Sequence, residues 1–237
     1  MRYFRNLFFE KVEINVAEIS REELKKLSDK FCISRTGVEM IDCFEKGMLP
    51  GTQELPPKFT TYKENIMSLE EYENLDRELM DIRTRSSSMA EYRQQSEEIN
   101  YANCTSLACF LCDALESKGI HAKVFGLGGA HHFVIAQEQN NPNFIIVADP
   151  WTDIQFRMEI KNPVHNLEEL SAKDRMRIAE KYSKETGLYQ DYREQLEKLL
   201  NPLDIEDVDS REYYIEHFFE IQPPERWFEF NIQKGLR

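Results

Sequence analysis

Cys104, His131 and Asp149 follow one another in the segments Asn103-Cys104-Thr105-Ser106, Ala130-His131-His132-Phe133-Val134 and Ala148-Asp149-Pro150-Trp151. A thiol, an imidazole and a carboxylate are the three parts of a nucleophilic cysteine site: nucleophile, base, and the group that orients the base. Each sits where a secondary-structure element is expected to start or stop. Asn103 is a good N-cap, which puts Cys104 in the first turn of a helix. The unpaired N–H groups and the dipole there favour an anion, so the thiol pKa is expected to fall, and the same N–H groups could hold an oxyanion. A buried structural cysteine is the plainer alternative.

His131 and His132 open a strand. Strand side chains alternate, so one imidazole can face the helix that carries Cys104 while the other points away. The residues alone leave both open as the base. Asp149 closes an apolar run and precedes Pro150, which favours an extended conformation and turns the carboxylate off the strand end. A hairpin places it beside the histidines, where it would fix the imidazole tautomer and stabilise the imidazolium. An ordinary Asp-Pro turn is the competing reading.

The elements that must position these groups can be read from spacing. Cys104 to Lys118 is helical, with Ala108, Leu111 and Leu115 on the face of Cys104, and Gly119 before Ile120 reads as its C-cap. Strands follow at 122–127, 131–137 and 144–148, with turn residues at Gly128-Gly129 and 139–143, and 154–158 alternates as a fourth. The 144–148 run is almost wholly apolar, which suits an inner strand. Upstream, 12–16 alternates like a short strand, Ser20 with Glu23 opens a helix, and 47–57 reads as a loop. Ser68 with Glu71 opens a second helix with a stripe of Leu69, Tyr72, Leu75, Leu79 and Ile82, ended by Ser86-Ser87-Ser88 before another begins near Ala90. Downstream, Asn166 with Glu169, the region of Tyr182, and 192–200 read as helical, 204–209 as an acidic loop, and 213–221 as either helix or strand. The expected architecture is α+β: residues 1–95 mostly helical, 96–160 a core of one helix on a small antiparallel sheet, 161–237 mostly helical and packed on that core.

The 237 residues carry 43 acidic and 30 basic side chains, a formal net charge of -13. Such a chain is repelled by phosphate backbones and anionic lipid, which argues against nucleic-acid partners. No apolar run is long enough to span a bilayer, and 1–9 lacks the pattern of a Sec signal. Five irregularly spaced cysteines (Cys32, Cys43, Cys104, Cys109, Cys112) suit a reducing compartment better than a disulfide framework. Cys109-x-x-Cys112 falls inside a helix without the turn of a zinc knuckle, so neither a metal nor another cofactor is expected.

Asn103-Cys104-Thr105-Ser106-Leu107-Ala108, the helix ending Lys118-Gly119-Ile120, the strand from Ala122, His131-His132-Phe133-Val134 and Asp149-Pro150-Trp151 together resemble the transglutaminase-like branch of the papain-like cysteine enzymes, over about residues 98–155. That family shows a histidine followed two residues later by an aromatic, so Phe133 selects His131 as the base, with His132 the alternative. The Asp-Pro-Trp form is similar to members among bacterial toxins and injected effectors that act on host proteins. The resemblance implies a transglutaminase-like fold and an amide-bond enzyme: a protease, glutamine deamidase or transglutaminase. Cys104 would be its nucleophile and Asp149 its orienting carboxylate, with Asn103 and Trp151 shaping the site. It implies a protein or peptide substrate and a chain that is cytoplasmic or delivered to a host cell without a Sec signal. Asn103 and Ser106 depart from the family's Gly or Asp before the cysteine and acidic residue two after it. No oxyanion glutamine stands out; Gln94 and Gln95 qualify only by proximity. The contrasting expectation is a non-catalytic interaction module that keeps the fold.

Overall fold

The computed structural model describes residues 14–30, 59–60, 66–67, 69–128, 131–201 and 207–226. Among the described residues four helices precede the main sheet: α1 (Val16–Lys30), α2 (Leu69–Arg85), α3 (Met89–Glu98) and α4 (Cys104–Glu116). A two-stranded ribbon pairs β1 (Phe59–Thr60) with β2 (Ile66–Met67). Then come β3 (Ala122–Leu127), β4 (His131–Gln137), β5 (Phe144–Asp149) and β6 (Ile154–Glu159). A 3-10 turn (Leu167–Glu169) leads to α5 (Ala172–Thr186), α6 (Tyr192–Leu200), α7 (Val208–Phe218) and the short β7 (Ile221–Gln222).

The main sheet has the order β6-β5-β4-β3-β7, antiparallel throughout, in an α+β arrangement. The inner strands β3, β4 and β5 are largely apolar on both faces because helices cover both, whereas the edge strand β6 keeps polar, exposed positions. Val124, Val134, Ala136, Ile146 and Ala148 pack with α1 to α4. Phe125, Phe133, Ile135, Ile145 and Val147 pack with α5 to α7. Every residue of β4, the middle strand, is buried as a result.

The α4–β3 junction follows from local sequence. Asn103 Oδ1 accepts the Ser106 N–H at 3.0 Å. At the other end Gly119 takes φ +75°, and the N–H groups of Gly119 and Ile120 bond to the carbonyls of Glu116 and Leu115. That is the Schellman pattern, which a left-handed glycine permits without a Cβ penalty. Ile120 is fully buried against the sheet.

Several expected elements shift. The strand at 12–16 is replaced at its described end by helix: Asn15 caps α1, accepting the Glu18 N–H and donating to the Glu18 carboxylate. The helical stripe Val16, Ser20, Leu24, Leu27 is buried along its length, and three turns of burial outweigh a brief alternation. Ser20 thereby becomes an interior residue rather than a cap. Val12, Glu13, the 47–57 loop, Cys32, Cys43 and the Ser68 cap lie outside the described residues. Asn166 caps only the 3-10 turn, and α5 starts after Ser171, whose hydroxyl accepts the Asp174 N–H. Residues 207–209, expected as acidic loop, begin α7: the Asp207 carboxylate accepts the Ser210 N–H, and Asp209 lies in the first turn. Residues 204–206 lie outside the described residues. The ambiguous 213–221 segment is both helix to Phe218 and strand from Ile221. Among the described residues no helix is long and apolar enough to cross a membrane.

Candidate active site

Antiparallel register decides which side chains meet. β4 pairs with β5 through Val134–Ala148 and Ile135–Val147, so Asp149 falls on the same face as Phe133 and His131. His131 Nε2 lies 2.9 Å from Asp149 Oδ2, and both side chains are completely buried. This face is the one covered by α5 to α7. His132 alternates to the opposite face, that of α4, where its Nδ1 meets the Thr105 hydroxyl at 2.8 Å. Cys104 heads α4 at the end of these strands and interacts with both imidazoles. Nε2 of His131 is taken by Asp149; Nδ1, buried and without a hydrogen bond of normal geometry, remains for the thiol. Catalytic hydrogen bonds are often loose before substrate binds.

The Asp149 carboxylate is saturated with donors. Oδ2 accepts from His131, from the Thr152 hydroxyl at 2.8 Å and from the Tyr182 hydroxyl at 2.5 Å; Oδ1 accepts the Trp151 N–H at 2.9 Å. The last bond is an Asx-type turn, so the Asp-Pro-Trp segment forms a turn and aims the carboxylate at once. Burial alone would raise the Asp149 pKa; the charge and hydrogen bond of His131, with Tyr182 and Thr152, hold it below the ordinary carboxylate value. Burial likewise opposes a charge on His131, but the Asp149 carboxylate and Cys104 push its pKa up to about 10. For Cys104, burial would raise the pKa; hydrogen bonding to His131 and His132, and their charges, bring it down to about 5. Thiolate and imidazolium are therefore the neutral-pH state of this pair.

The site is walled by rings. His131 lies 5.1 Å from Trp151 and 5.7 Å from Tyr182 between centroids, and stacks on Tyr189 at 5.2 Å. Phe133 stacks on Tyr182 at 4.3 Å, which fixes the hydroxyl that holds Asp149. Cys104 as a residue is only partly buried, although its thiol sits in desolvating surroundings. Its helix start is braced from below: Asn103 Nδ2 donates to Asp76 on α2 at 3.2 Å, and the Ser106 hydroxyl bonds both Asn103 and Tyr92.

Cys104, His131, His132, Asp149, Asn103 and Trp151 thus meet in one place. Gln94 and Gln95 do not join them. They lie on α3, bonded to Glu98 and Glu91, with Arg85 donating to Gln95. Gln94 is exposed and Gln95 half-buried on that helix. Cys109 and Cys112 are buried within α4, and burial pushes Cys109 up to about 12 and Cys112 well above its ordinary value. Among the described residues no group of three or more metal-binding side chains is assembled. Three partners have no early signature. Thr105 and Thr152 are neighbours in sequence of Cys104 and Asp149 and could have been suspected; Tyr182 arrives from α5 and could not. Comparisons with protein-family models, curated proteins and solved structures find no match.

Proposed function

We propose that the chain is a cysteine-dependent amide-bond enzyme of transglutaminase-like fold, acting on a protein or peptide by hydrolysis, deamidation or transamidation. One observation carries the reading: a completely buried His131–Asp149 pair whose second ring nitrogen has no hydrogen-bond partner, beside the partly exposed residue Cys104 at a helix N-terminus. A structural cysteine needs neither the depressed pKa nor the oriented imidazole.

In the proposed reaction the Cys104 thiolate attacks the amide carbonyl. The oxyanion is received by the N–H groups of Cys104 and Thr105, the first donors of α4. His131, as imidazolium, gives its Nδ1 proton to the departing amine or ammonia, and a thioester remains. Neutral His131 then takes a proton from the acyl acceptor, water or an amine; the acyl group leaves and the thiolate–imidazolium pair is restored. Asp149 keeps its Nε2 bond throughout and holds the ring's tautomer and direction. Trp151, Tyr182 and Tyr189 keep bulk water from the imidazolium, which strengthens the pair. His132, anchored on Thr105, supports the thiolate from the other side.

The test is site-resolved alkylation by iodoacetamide at mildly acidic pH. Cys104 should be labelled rapidly while Cys32, Cys43, Cys109 and Cys112 serve as controls in the same molecule. His131→Ala should suppress the fast labelling and His132→Ala should reduce it less. Slow, indiscriminate labelling of the parent protein would refute the proposal and leave a binding module in its place.

A further inference from the structure

A cleft of about 260 Å³ opens beside the site, and His132 forms part of its wall. It reaches Cys104 through a single step, since the same imidazole bonds Thr105 and bears on the thiol. Its floor is backbone. At Gly126 an added Cβ would stand 3.4 Å from His132 and 3.6 Å from Glu220, in the space between them. At Gly128, with φ +58°, it would collide with the Phe218 ring at 2.6 Å. Gly128 therefore lets the Phe218 ring close on the backbone, while a Cβ at Gly126 would make only ordinary contact with its neighbours. The walls come from Leu199 of α6, from Tyr214, His217 and Phe218 of α7, and from Glu220 after it.

The lining includes two imidazoles, His132 and His217, and a single carboxylate, that of Glu220. Glu220 supplies a carboxylate, steadied by the Gln222 amide at 2.9 Å. His217 donates through Nδ1 to the Tyr213 carbonyl at 2.8 Å, which leaves Nε2 as an acceptor in the neutral ring. Tyr214, Phe218 and His217 offer ring faces. Among the described lining residues there is no lysine or arginine. Acceptors and ring faces together favour a cation that is planar and rich in donors, as a guanidinium is. The volume suits one side chain rather than a larger ligand.

We propose that this cleft receives an arginine side chain of the substrate, close to the amide presented to Cys104. The proposal rests on Cys104 being the nucleophile. Arginine would lay its guanidinium against Tyr214 or Phe218 and pair with Glu220, so Glu220 is a specificity-determining residue that takes no part in the chemistry.

The probes are two sets of acetyl-dipeptide chloromethyl ketones, with arginine, norleucine or glutamate at either of the two positions before the ketone. Each alkylates Cys104 at a rate read by peptide mass spectrometry. At one position arginine should outpace norleucine by on the order of tenfold or more, the discrimination expected of one charge-assisted pair. In Glu220→Gln that ratio should fall towards unity, and in Glu220→Lys glutamate should become the fastest of the three. The ratio within each protein is the readout, so a general loss of reactivity does not mimic the effect. Rapid iodoacetamide labelling of Cys104 without an arginine preference at either position would overturn the cleft assignment and leave the nucleophile standing. A preference that survives in both variants would also overturn it. Failure of iodoacetamide and every ketone to label Cys104 in the parent protein would overturn the nucleophile, and the cleft with it.

Discussion

The pH profile of Cys104 alkylation follows quantitatively from the site. The thiol stands at about 5 instead of 9.0, so at pH 6 it is about 90% thiolate where an ordinary cysteine is about 0.1%, roughly a 900-fold gain in the reactive form. Nucleophilicity falls with basicity, and a Brønsted slope of about 0.4–0.5 returns about 40- to 100-fold of that gain. Cys104 should therefore react about 10- to 20-fold faster than an unstructured cysteine peptide at pH 6, and about 20- to 50-fold slower at pH 9. The sign is fixed by both partners. A lowered thiol is charged above about 5, and a histidine raised to about 10 is charged below it, so the ion pair exists between those limits. The rate should climb to about pH 5 and then run flat across neutrality. Timed iodoacetamide labelling from pH 4 to 9.5, with peptide mass spectrometry, measures it. In His131→Ala the climb should move to higher pH, because burial remains and the chief interaction opposing it is gone. A parent-protein rate that rises tenfold per pH step between 6 and 8, like that of the reference peptide, would refute the reasoning.

Other substitutions test the supports. Tyr182→Phe keeps the stacking on Phe133 but deletes a donor to a buried carboxylate, and should cost about 1.5–3 kcal/mol in urea unfolding at pH 7. Because the Asp149 pKa is depressed, that stabilisation is present above the ordinary carboxylate value and is lost as the pH falls through the folded-state value, so the cost should shrink in acid. Asn103→Ala removes the α4 cap and should cost about 0.5–2 kcal/mol by the same assay. Arg175, almost fully buried, donates to the carbonyls of Glu168, Leu170, Glu216 and Phe219 and so ties α5 to the end of α7. Arg175→Met should cost about 3 kcal/mol or more and speed amide hydrogen exchange in α7.

Local sequence determined α4 and the four strands from β3 to β6, because capping, glycine and alternation act over a few residues and here all agree. Asn103 and Gly119 bound the helix that carries the thiol, and the turn residues bound the strands that carry His131 and Asp149. The same locality misled at 14–16 and 207–209, where a short pattern competed with a cap that served a longer helix. Period-two alternation separated His131 from His132 without saying which face α4 would cover. The tertiary structure decided that: α4 lies on the His132 face, and Cys104 bears on both rings because it sits at the end of the strands. The third donor on Asp149 Oδ2, the Tyr182 hydroxyl, also came from outside the local pattern, brought by α5 from 33 residues away. The cleft did as well, since β7 pairs beside β3 and carries Glu220 to Gly126. Contacts of that range depend on how layers of helix and sheet pack, which no window of neighbouring residues records.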